Sequence, residues 1–335
     1  MIWNYRNKME FSFGDVYPPV AGQWLKLGMK PKGRWYEILD LQECRLPSPE
    51  AAPLLAAVRS WAEDEKVPPY NSHKKEGQLR HLVIREAKNR PERMVILVTT
   101  TGDIPKKSFM EAVLSVYPAT TILLGGNAKL SDTAVSDSLE VLTGPGHVTE
   151  TLRFPDGSVD YRISPHSFFQ TNSLGAQVLY GLLRGWSREI RAKTVLDLYC
   201  GGGGIALSLA GAVEKILGVE SNQSAVEDAK ANADLNGLKN CDFYGGTVEF
   251  LLPALLDMRP EAVVADPPRA GLHAKVAATL LEMAPPVLFY VSCNPESLAR
   301  DLKVLGARYC VERLACVDLF PHTDHVETVV WLSLC

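Results

Sequence analysis

The rhythm of apolar and polar positions changes near residue 155, and the two rhythms predict two different kinds of sheet. Residues 1 to about 155 mix short strand-like runs with helical ones, which predicts an α+β domain. Lys8 to Gly14 alternates and ends at glycine, as a strand with one face in the core does. Gln23 to Met29 and Trp35 to Leu41 predict two more strands, parted by the turn-prone Lys30-Pro31-Lys32-Gly33. Pro47-Ser48-Pro49-Glu50 opens a helix whose apolar spacing runs to about Glu65. Strands come next at Leu79 to Glu86 and Met94 to Thr100, then a helix from Pro105 to Tyr117 and a strand from Thr120 to Leu124. Phe154-Pro155-Asp156-Gly157 reads as a tight turn and is the expected domain boundary, giving domains 1–155 and 156–335.

After a helix from Ser173 to Trp186, the pattern becomes regular strand–helix alternation. The predicted strands are Thr194 to Cys200, Lys215 to Val219, Cys241 to Tyr244, Glu261 to Ala265 and Pro286 to Val291. Between and after them lie helices at Ile205 to Ala210, Gln223 to Leu235, Thr247 to Leu256, Ala274 to Met283 and Glu296 to Leu305. Alternation of this length implies a Rossmann-like α/β fold, with a mostly parallel sheet covered on both faces. Two last runs, Cys310 to Leu319 and His325 to Leu332, predict an antiparallel hairpin at one edge.

Such a sheet presents ligands at the carboxyl ends of its strands, and the polar residues of this half fall there. Gly201 to Gly204 come after the first strand, where bare backbone can approach a ligand at a helix start. Gly201-x-Gly203-x-x-Ala206 satisfies a dinucleotide fingerprint, with Glu220 placed for a ribose hydroxyl. Asp197-x-Tyr199-x-Gly201-x-Gly203 equally fits the nucleoside loop of S-adenosylmethionine enzymes. Two strand ends further along the chain discriminate between these: Asp266-Pro267-Pro268 at one and Cys293 at the next have no role in hydride transfer. An aromatic usually stands after Asp-Pro-Pro in amino-nitrogen methylation, and Arg269 stands there instead.

A cysteine, a carboxylate and a methyl donor around one pocket suit carbon 5 of a uracil. That carbon is too poor a nucleophile to take a methyl group until a thiolate adds to carbon 6, and a base must then remove the carbon 5 proton. Cys293 is the candidate nucleophile, directly before a helix start that is expected to favour its thiolate, and Glu327 the candidate base. Taken singly, Cys293 also reads as a small buried hydrophobe and Glu327 as an outward strand residue.

Composition narrows the setting. Hydrophobic content of 46% and charged content of 22% suit a globular chain. No apolar run approaches the roughly 20 residues of a membrane span, and the N-terminus lacks a signal-peptide layout, so a cytoplasmic protein is expected. Seven scattered cysteines without a C-x-x-C pair suggest neither a disulfide framework nor a zinc site. A net charge of −4 argues against general polyanion binding, so any nucleic-acid contact needs a local patch. Lys74, Lys75, Arg80 and Arg85 cluster in one stretch, either as a solvated loop and strand face or as phosphate contacts.

Five ordered motifs carry a resemblance: Phe168-Phe169-Gln170-Thr171-Asn172, Asp197-Leu198-Tyr199-Cys200-Gly201, the Asp266 to Leu272 string, Ser292-Cys293-Asn294-Pro295 and the Pro321 to Val329 string. Together they resemble the RNA uracil-5-methyltransferases, which make 5-methyluridine in 23S rRNA and tRNA. Tyr5-Arg6-Asn7-Lys8 and Gly77 to Arg85 also look like that family's central domain. The resemblance implies Cys293 as nucleophile and Glu327 as base. It implies S-adenosylmethionine bound by Gln170, Tyr199, Gly204, Glu220, Thr247 and Asp266. It also implies an RNA substrate, with 23S rRNA favoured by the final segment and tRNA second, held by Lys74, Lys75, Arg80 and Arg85. The small N-terminal barrel of many members is expected to be lacking, and the protein to be a monomer. Many rRNA members hold an iron–sulfur cluster on four cysteines. Cys44 matches the last of these without the other three, so no cluster and no metal are expected. The reading from a different class is a non-catalytic RNA-binding or assembly factor.

Overall fold

A computed structural model describes residues 1–20, 23–34, 36–100, 103–129 and 132–335. The chain divides into two compact units, Met1–Glu150 with Ser164–His166, and Thr151–Ile163 with Ser167–Cys335.

The first unit contains β1 (Lys8–Val20), β2 (Gln23–Met29), β3 (Leu39–Asp40), α1 (Ala51–Asp64), β4 (Leu79–Glu86), β5 (Arg93–Thr99), α2 (Lys106–Val116), β6 (Thr121–Gly126) and β7 (Ser138–Thr143). Its strands form one sheet in the order β3-β2-β1-β4-β5-β6-β7. Only β5 and β6 run parallel among these pairs. The alternation of β1 puts Met9, Phe11 and Phe13 into a core with Leu54, Leu55 and Val58 of α1 and Phe109 and Val113 of α2. The strand expected from Trp35 to Leu41 shrinks to β3, which pairs with Gly28 and Met29; Trp35 itself lies outside the described residues. Gly28 is needed there, because a Cβ would lie 1.9 Å from the Leu39 carbonyl oxygen.

Two strands that the hydrophobic pattern did not predict, β8 (Val148–Phe154) and β9 (Gly157–Ile163), pair with each other, and the expected boundary residues Pro155 and Asp156 make their turn. The second unit continues with α3 (Ser173–Ile190), β10 (Thr194–Leu198), α4 (Gly204–Leu209), β11 (Lys215–Glu220), α5 (Gln223–Leu235), β12 (Cys241–Gly245), α6 (Val248–Leu251), β13 (Ala262–Ala265), α7 (Ala274–Met283), β14 (Val287–Ser292), α8 (Pro295–Leu305), β15 (Tyr309–Val317) and β16 (Glu327–Leu334). The helix expected from Thr247 to Leu256 stops as an α-helix at Leu251 and goes on as a 3₁₀ turn. Pro253 explains this, since it lacks the N–H that an α-helix interior uses.

The second sheet has the order β12-β11-β10-β13-β14-β16-β15. From β12 through β14 the neighbours are parallel, and β16 inserts antiparallel between β14 and β15. This is the α/β architecture with an edge hairpin that the alternation predicts. β14 is buried along its whole length, as a covered central strand must be. The expectation of unpaired cysteines needs correction. Cys310 and Cys335 form a disulfide across the open end of the β15–β16 hairpin, with Cα atoms 5.6 Å apart. Linear spacing conceals this pair because the hairpin register brings position 335 back beside position 308.

Candidate active site at the carboxyl edge

Parallel strands end at the same edge, and here four of the five deliver a polar side chain. Tyr199 comes after β10, Glu220 ends β11, Asp266 comes after β13 and Cys293 after β14. Register fixes their neighbours: Leu198 pairs with Val219 on one side and Ala265 on the other, and Ala265 with Tyr290. The antiparallel β16 starts where the others finish. Ser292 pairs with Thr328, so one step further along the ladder Cys293 stands opposite Glu327.

Local chemistry holds these ends in place. Asn294 accepts from the Glu296 N–H at 3.1 Å and caps α8, whose first residue is Pro295. Cys293 is thereby fixed between a strand end and a helix cap. After β10, Tyr199 (φ 64°), Gly201 (φ 53°) and Gly203 (φ 84°) take left-handed conformations and turn the chain into α4. The Glu220 carboxylate steadies that turn by accepting from Gly201 N–H at 3.1 Å and Asn222 N–H at 2.7 Å.

Beside the turn lies a pocket. Gln170, Tyr199, Gly204 and Asp266, four of the residues implied for the cofactor, line it with Phe168, Gly202 and Asp228. Glu220 touches the loop from behind, and Thr247 is an exposed residue at the start of α6; neither lines the pocket. The pocket suits a nucleoside bearing a charged amino-acid tail. Backbone at Gly201 borders open space, with no atom within 4 Å of an added Cβ. One oxygen of the buried Asp197 accepts from Ala206 N–H at 2.9 Å while the other has no partner. Gly204 is closely fitted, since a Cβ there would lie 2.7 Å from the Tyr180 hydroxyl. Asp228 was invisible in the sequence: it sits in the middle of α5 and reaches the pocket wall only through the fold.

The electrostatics around Cys293 correct one expectation. A helix start was expected to favour its thiolate, yet its titration is raised. Burial is the main cause, the Glu327 carboxylate the second, and Asp266 adds to them; only Arg269 among the neighbouring charges opposes. Burial also pushes Glu327 up to about 7, against the pull of Arg269. Asp266 is pushed up to about 7 by burial and then by Glu327. Three acids thus share one partly buried edge: Glu327 hinders ionisation of Asp266 and Cys293, and Asp266 hinders that of Cys293. Arg269 places a guanidinium Nη1 3.2 Å from His325 Nδ1, and its carbonyl oxygen accepts from the Asn294 amide at 3.0 Å.

The basic stretch of the first unit divides. Lys74 and Lys75 are exposed in the loop after Asn71. Arg80 and Arg85 are each 3% exposed, which corrects their expected role as phosphate contacts. Arg80 donates to the carbonyl oxygens of Asn127 and Lys129, both at 2.7 Å, and its guanidinium lies 4.5 Å from the Tyr70 ring centroid. Arg85 Nε donates to the Pro165 carbonyl oxygen at 3.2 Å. Segments distant in the chain, at Tyr70, Asn127 to Lys129 and Pro165, contact these side chains, a fact that a run of positive residues cannot display. Cys44 packs against the apolar core of this unit.

Comparison with known proteins agrees with the geometry. Residues 133–334 match the family model described as tRNA (Uracil-5-)-methyltransferase. An uncharacterized RNA methyltransferase of Clostridium tetani is 39% identical over 335 residues, covering 98% of this chain and 72% of that protein. One from Caldanaerobacter subterraneus is 36% identical with the same coverage. Among solved structures, the Pyrococcus abyssi tRNA (uracil-54, C5)-methyltransferase in complex with S-adenosyl-L-homocysteine superposes with a TM-score of 0.82 at 32% identity, covering 99% of this chain and 76% of that one.

Proposed function

The chain belongs to the tRNA (uracil-5-)-methyltransferase family, and from this premise we propose that it methylates carbon 5 of a uridine with Cys293 as nucleophile and Glu327 as base. It is an S-adenosylmethionine-dependent RNA methyltransferase. The observation that carries the residue roles is the ladder register that sets Cys293 opposite Glu327, with Asp266 on the next strand end.

In this reading Gln170, Tyr199, Gly204 and Asp266 hold the cofactor in the pocket, and Glu220 holds the glycine turn in shape. S-adenosylmethionine supplies an electrophilic methyl group when bound. The Cys293 thiolate adds to carbon 6 of the ring and pushes an electron pair toward carbon 5 and the neighbouring carbonyl. Carbon 5, now nucleophilic, takes the methyl group. Glu327 then removes the carbon 5 proton, the carbon–sulfur bond breaks, and the cysteine is released. A carboxyl pushed to about 7 fits the last role, because a base works best when its pKa lies near the working pH. The raised thiol means that Cys293 rests protonated, and Arg269 is the neighbouring charge that favours its ionisation against burial and Glu327.

The substrate must offer a uridine that can leave its stack, which costs a few kcal/mol and is cheapest in a loop. We place 23S rRNA first, from the character of the final segment, with Lys74 and Lys75 as phosphate contacts of the first unit. A tRNA is the second reading, supported by the similarity to the Pyrococcus abyssi tRNA enzyme along 99% of the chain. A cytoplasmic monomer completes the proposal, and no described helix is long and apolar enough to cross a membrane.

The test is trapping. RNA carrying 5-fluorouridine should form a covalent adduct with the wild type and the cofactor, because fluorine cannot leave as the proton does. An adduct that survives in Cys293→Ser would refute the assignment. Offering 23S rRNA and tRNA transcripts side by side, and mapping 5-methyluridine in each, decides between the two substrates.

A further inference from the structure

Three side chains along one face of α5, a helical turn apart, take different kinds of partner. Asn236 accepts from the Asp160 N–H at 2.8 Å and donates to the Asp160 carbonyl oxygen at 2.7 Å. Asn232 does the same for Arg162, at 2.8 and 3.3 Å. A side-chain amide suits this because it carries both donor and acceptor, and so clasps both backbone groups of a strand residue. The two asparagines bind β9 along the helix and fix Arg162 beside Asn232. Four residues earlier on the same face stands Asp228.

An aspartate cannot continue that pattern, since an ionised carboxylate only accepts. Asp228 accepts from the Ser167 hydroxyl, and this bond ties down the start of the segment that carries Phe168 and Gln170. Asp228 is half-buried and lines the pocket beside the glycine turn. A Cβ added at Gly202 would lie 3.9 Å from both the Asp228 Cβ and the Phe168 carbonyl oxygen, so helix, turn and segment meet there. Arg162 lines the same pocket. Other arginines of this unit pair with carboxylates: Arg184 with Asp156, Arg300 with Asp301 and Arg313 with Glu189. The Arg162 side chain forms no ion pair among the described residues.

The pocket wall therefore offers a guanidinium and a carboxylate, held by adjacent turns of one helix. An amino-acid group bears the opposite charges, a carboxylate and an ammonium on one carbon, and S-adenosylmethionine ends in such a group. We propose that Arg162 and Asp228 form the subsite for this tail, the guanidinium donating to its carboxylate and Asp228 accepting from its ammonium. Both contacts are charge-assisted, and the forked guanidinium matches a carboxylate in shape. The inference rests on the reading that this pocket holds the cofactor, and it is independent of the roles of Cys293 and Glu327. Neither residue reacts. They fix the tail, and the Ser167 bond places the Gln170 segment against the same carboxylate that reads the ammonium.

Calorimetric titration of the full chain with S-adenosylhomocysteine and with 5′-methylthioadenosine tests this, because the second compound keeps the nucleoside and lacks the amino-acid tail. Arg162→Ala and Asp228→Asn should each raise the Kd for S-adenosylhomocysteine ~10- to 100-fold, the loss expected of a hydrogen bond to a charged group. Both should bind 5′-methylthioadenosine within about threefold of wild type. Asp228→Asn keeps an acceptor for Ser167, so its loss reports the charge, and an unchanged unfolding temperature shows that it is folded. An analogue whose tail keeps the ammonium and lacks the carboxylate should be insensitive to Arg162→Ala and sensitive to Asp228→Asn. Equal losses for the two adenosine compounds, or a Kd for S-adenosylhomocysteine within about threefold of wild type, overturn the subsite. A wild type that binds neither compound, or a Gln170→Ala variant that binds both as wild type does, refutes the pocket reading itself, so the two failures are distinct.

Discussion

The two seven-stranded sheets have the same strand number and very different strand ends. In the first unit nearly every neighbour is antiparallel, so successive strand ends alternate between opposite edges and their polar residues are dispersed. Those residues serve the local structure. Glu86, 3% exposed, accepts from Ser48, Lys88 and Tyr117, and Glu150 closes the loop at Lys88 and Asn89. In the second unit five parallel strands finish on one edge, and the antiparallel β16 begins there. That edge collects Tyr199, Glu220, Asp266, Cys293 and Glu327. Chain direction therefore gathers groups from several strand ends at one edge of the second sheet, whereas in the first unit titrating groups such as Glu86, Lys88 and Tyr117 meet in a local network.

The comparison can be broken most sharply at Cys293. Cys293→Ala should lower methyl transfer by about four orders of magnitude or more, measured as single-turnover incorporation of labelled methyl, with little change in unfolding temperature. Retained turnover would move the chemistry away from this edge.

Glu327→Gln should come next, at roughly 100- to 10,000-fold in kcat, with a covalent RNA adduct accumulating on ordinary uridine because the last proton stays on carbon 5. The wild-type rate of adduct breakdown should rise with pH through about 7, as the carboxyl becomes a carboxylate. The same shift has a stability sign. A carboxyl held at about 7 in the fold and near 4.5 when unfolded binds more protons in the folded state. Folding is therefore favoured at low pH, and stability falls as pH rises from about 4.5 through 7. At alkaline pH Glu327→Gln should be the more stable protein by about 2 kcal/mol, read from denaturant midpoints. A variant less stable than wild type there would mean that the carboxylate is not opposed by its surroundings.

In the first sheet the equivalent insult should act on folding. Arg80→Ala strips the Asn127 and Lys129 carbonyls of their donor and should cost about 2 kcal/mol in urea unfolding, with kcat unchanged once folded. The smallest effect belongs to Lys74→Ala with Lys75→Ala. RNA binding should weaken a few-fold, and the slope of log affinity against log salt should fall by about 1 to 2. An unchanged salt slope would take these lysines out of the interface.

Much of the site was legible in the chain because its signals are local. A glycine run after an apolar strand, Asp-Pro-Pro after another and Cys-Asn-Pro after a third each declare a strand end within a few residues. The resemblance of five such strings then named the chemistry. Signals that are not local stayed hidden. Positive residues at Arg80 and Arg85 looked like a surface because charge was counted without knowing how β4 was covered. The Cys293 thiol was expected to be eased toward ionisation by α8, whereas burial and two carboxyl groups from other strands outweigh the helix start.

The order of elements, the periods that mark them and the side chains proposed to react are legible in the chain itself, since each depends on neighbours a few bonds away. Which groups share a dielectric, which charges are hidden and which cysteines touch are decided by pairing between distant segments. The insertion of β16 beside β14 is the clearest case: it sets Glu327 against Cys293, and the low-polarity edge formed there couples their protons, which no linear spacing can encode.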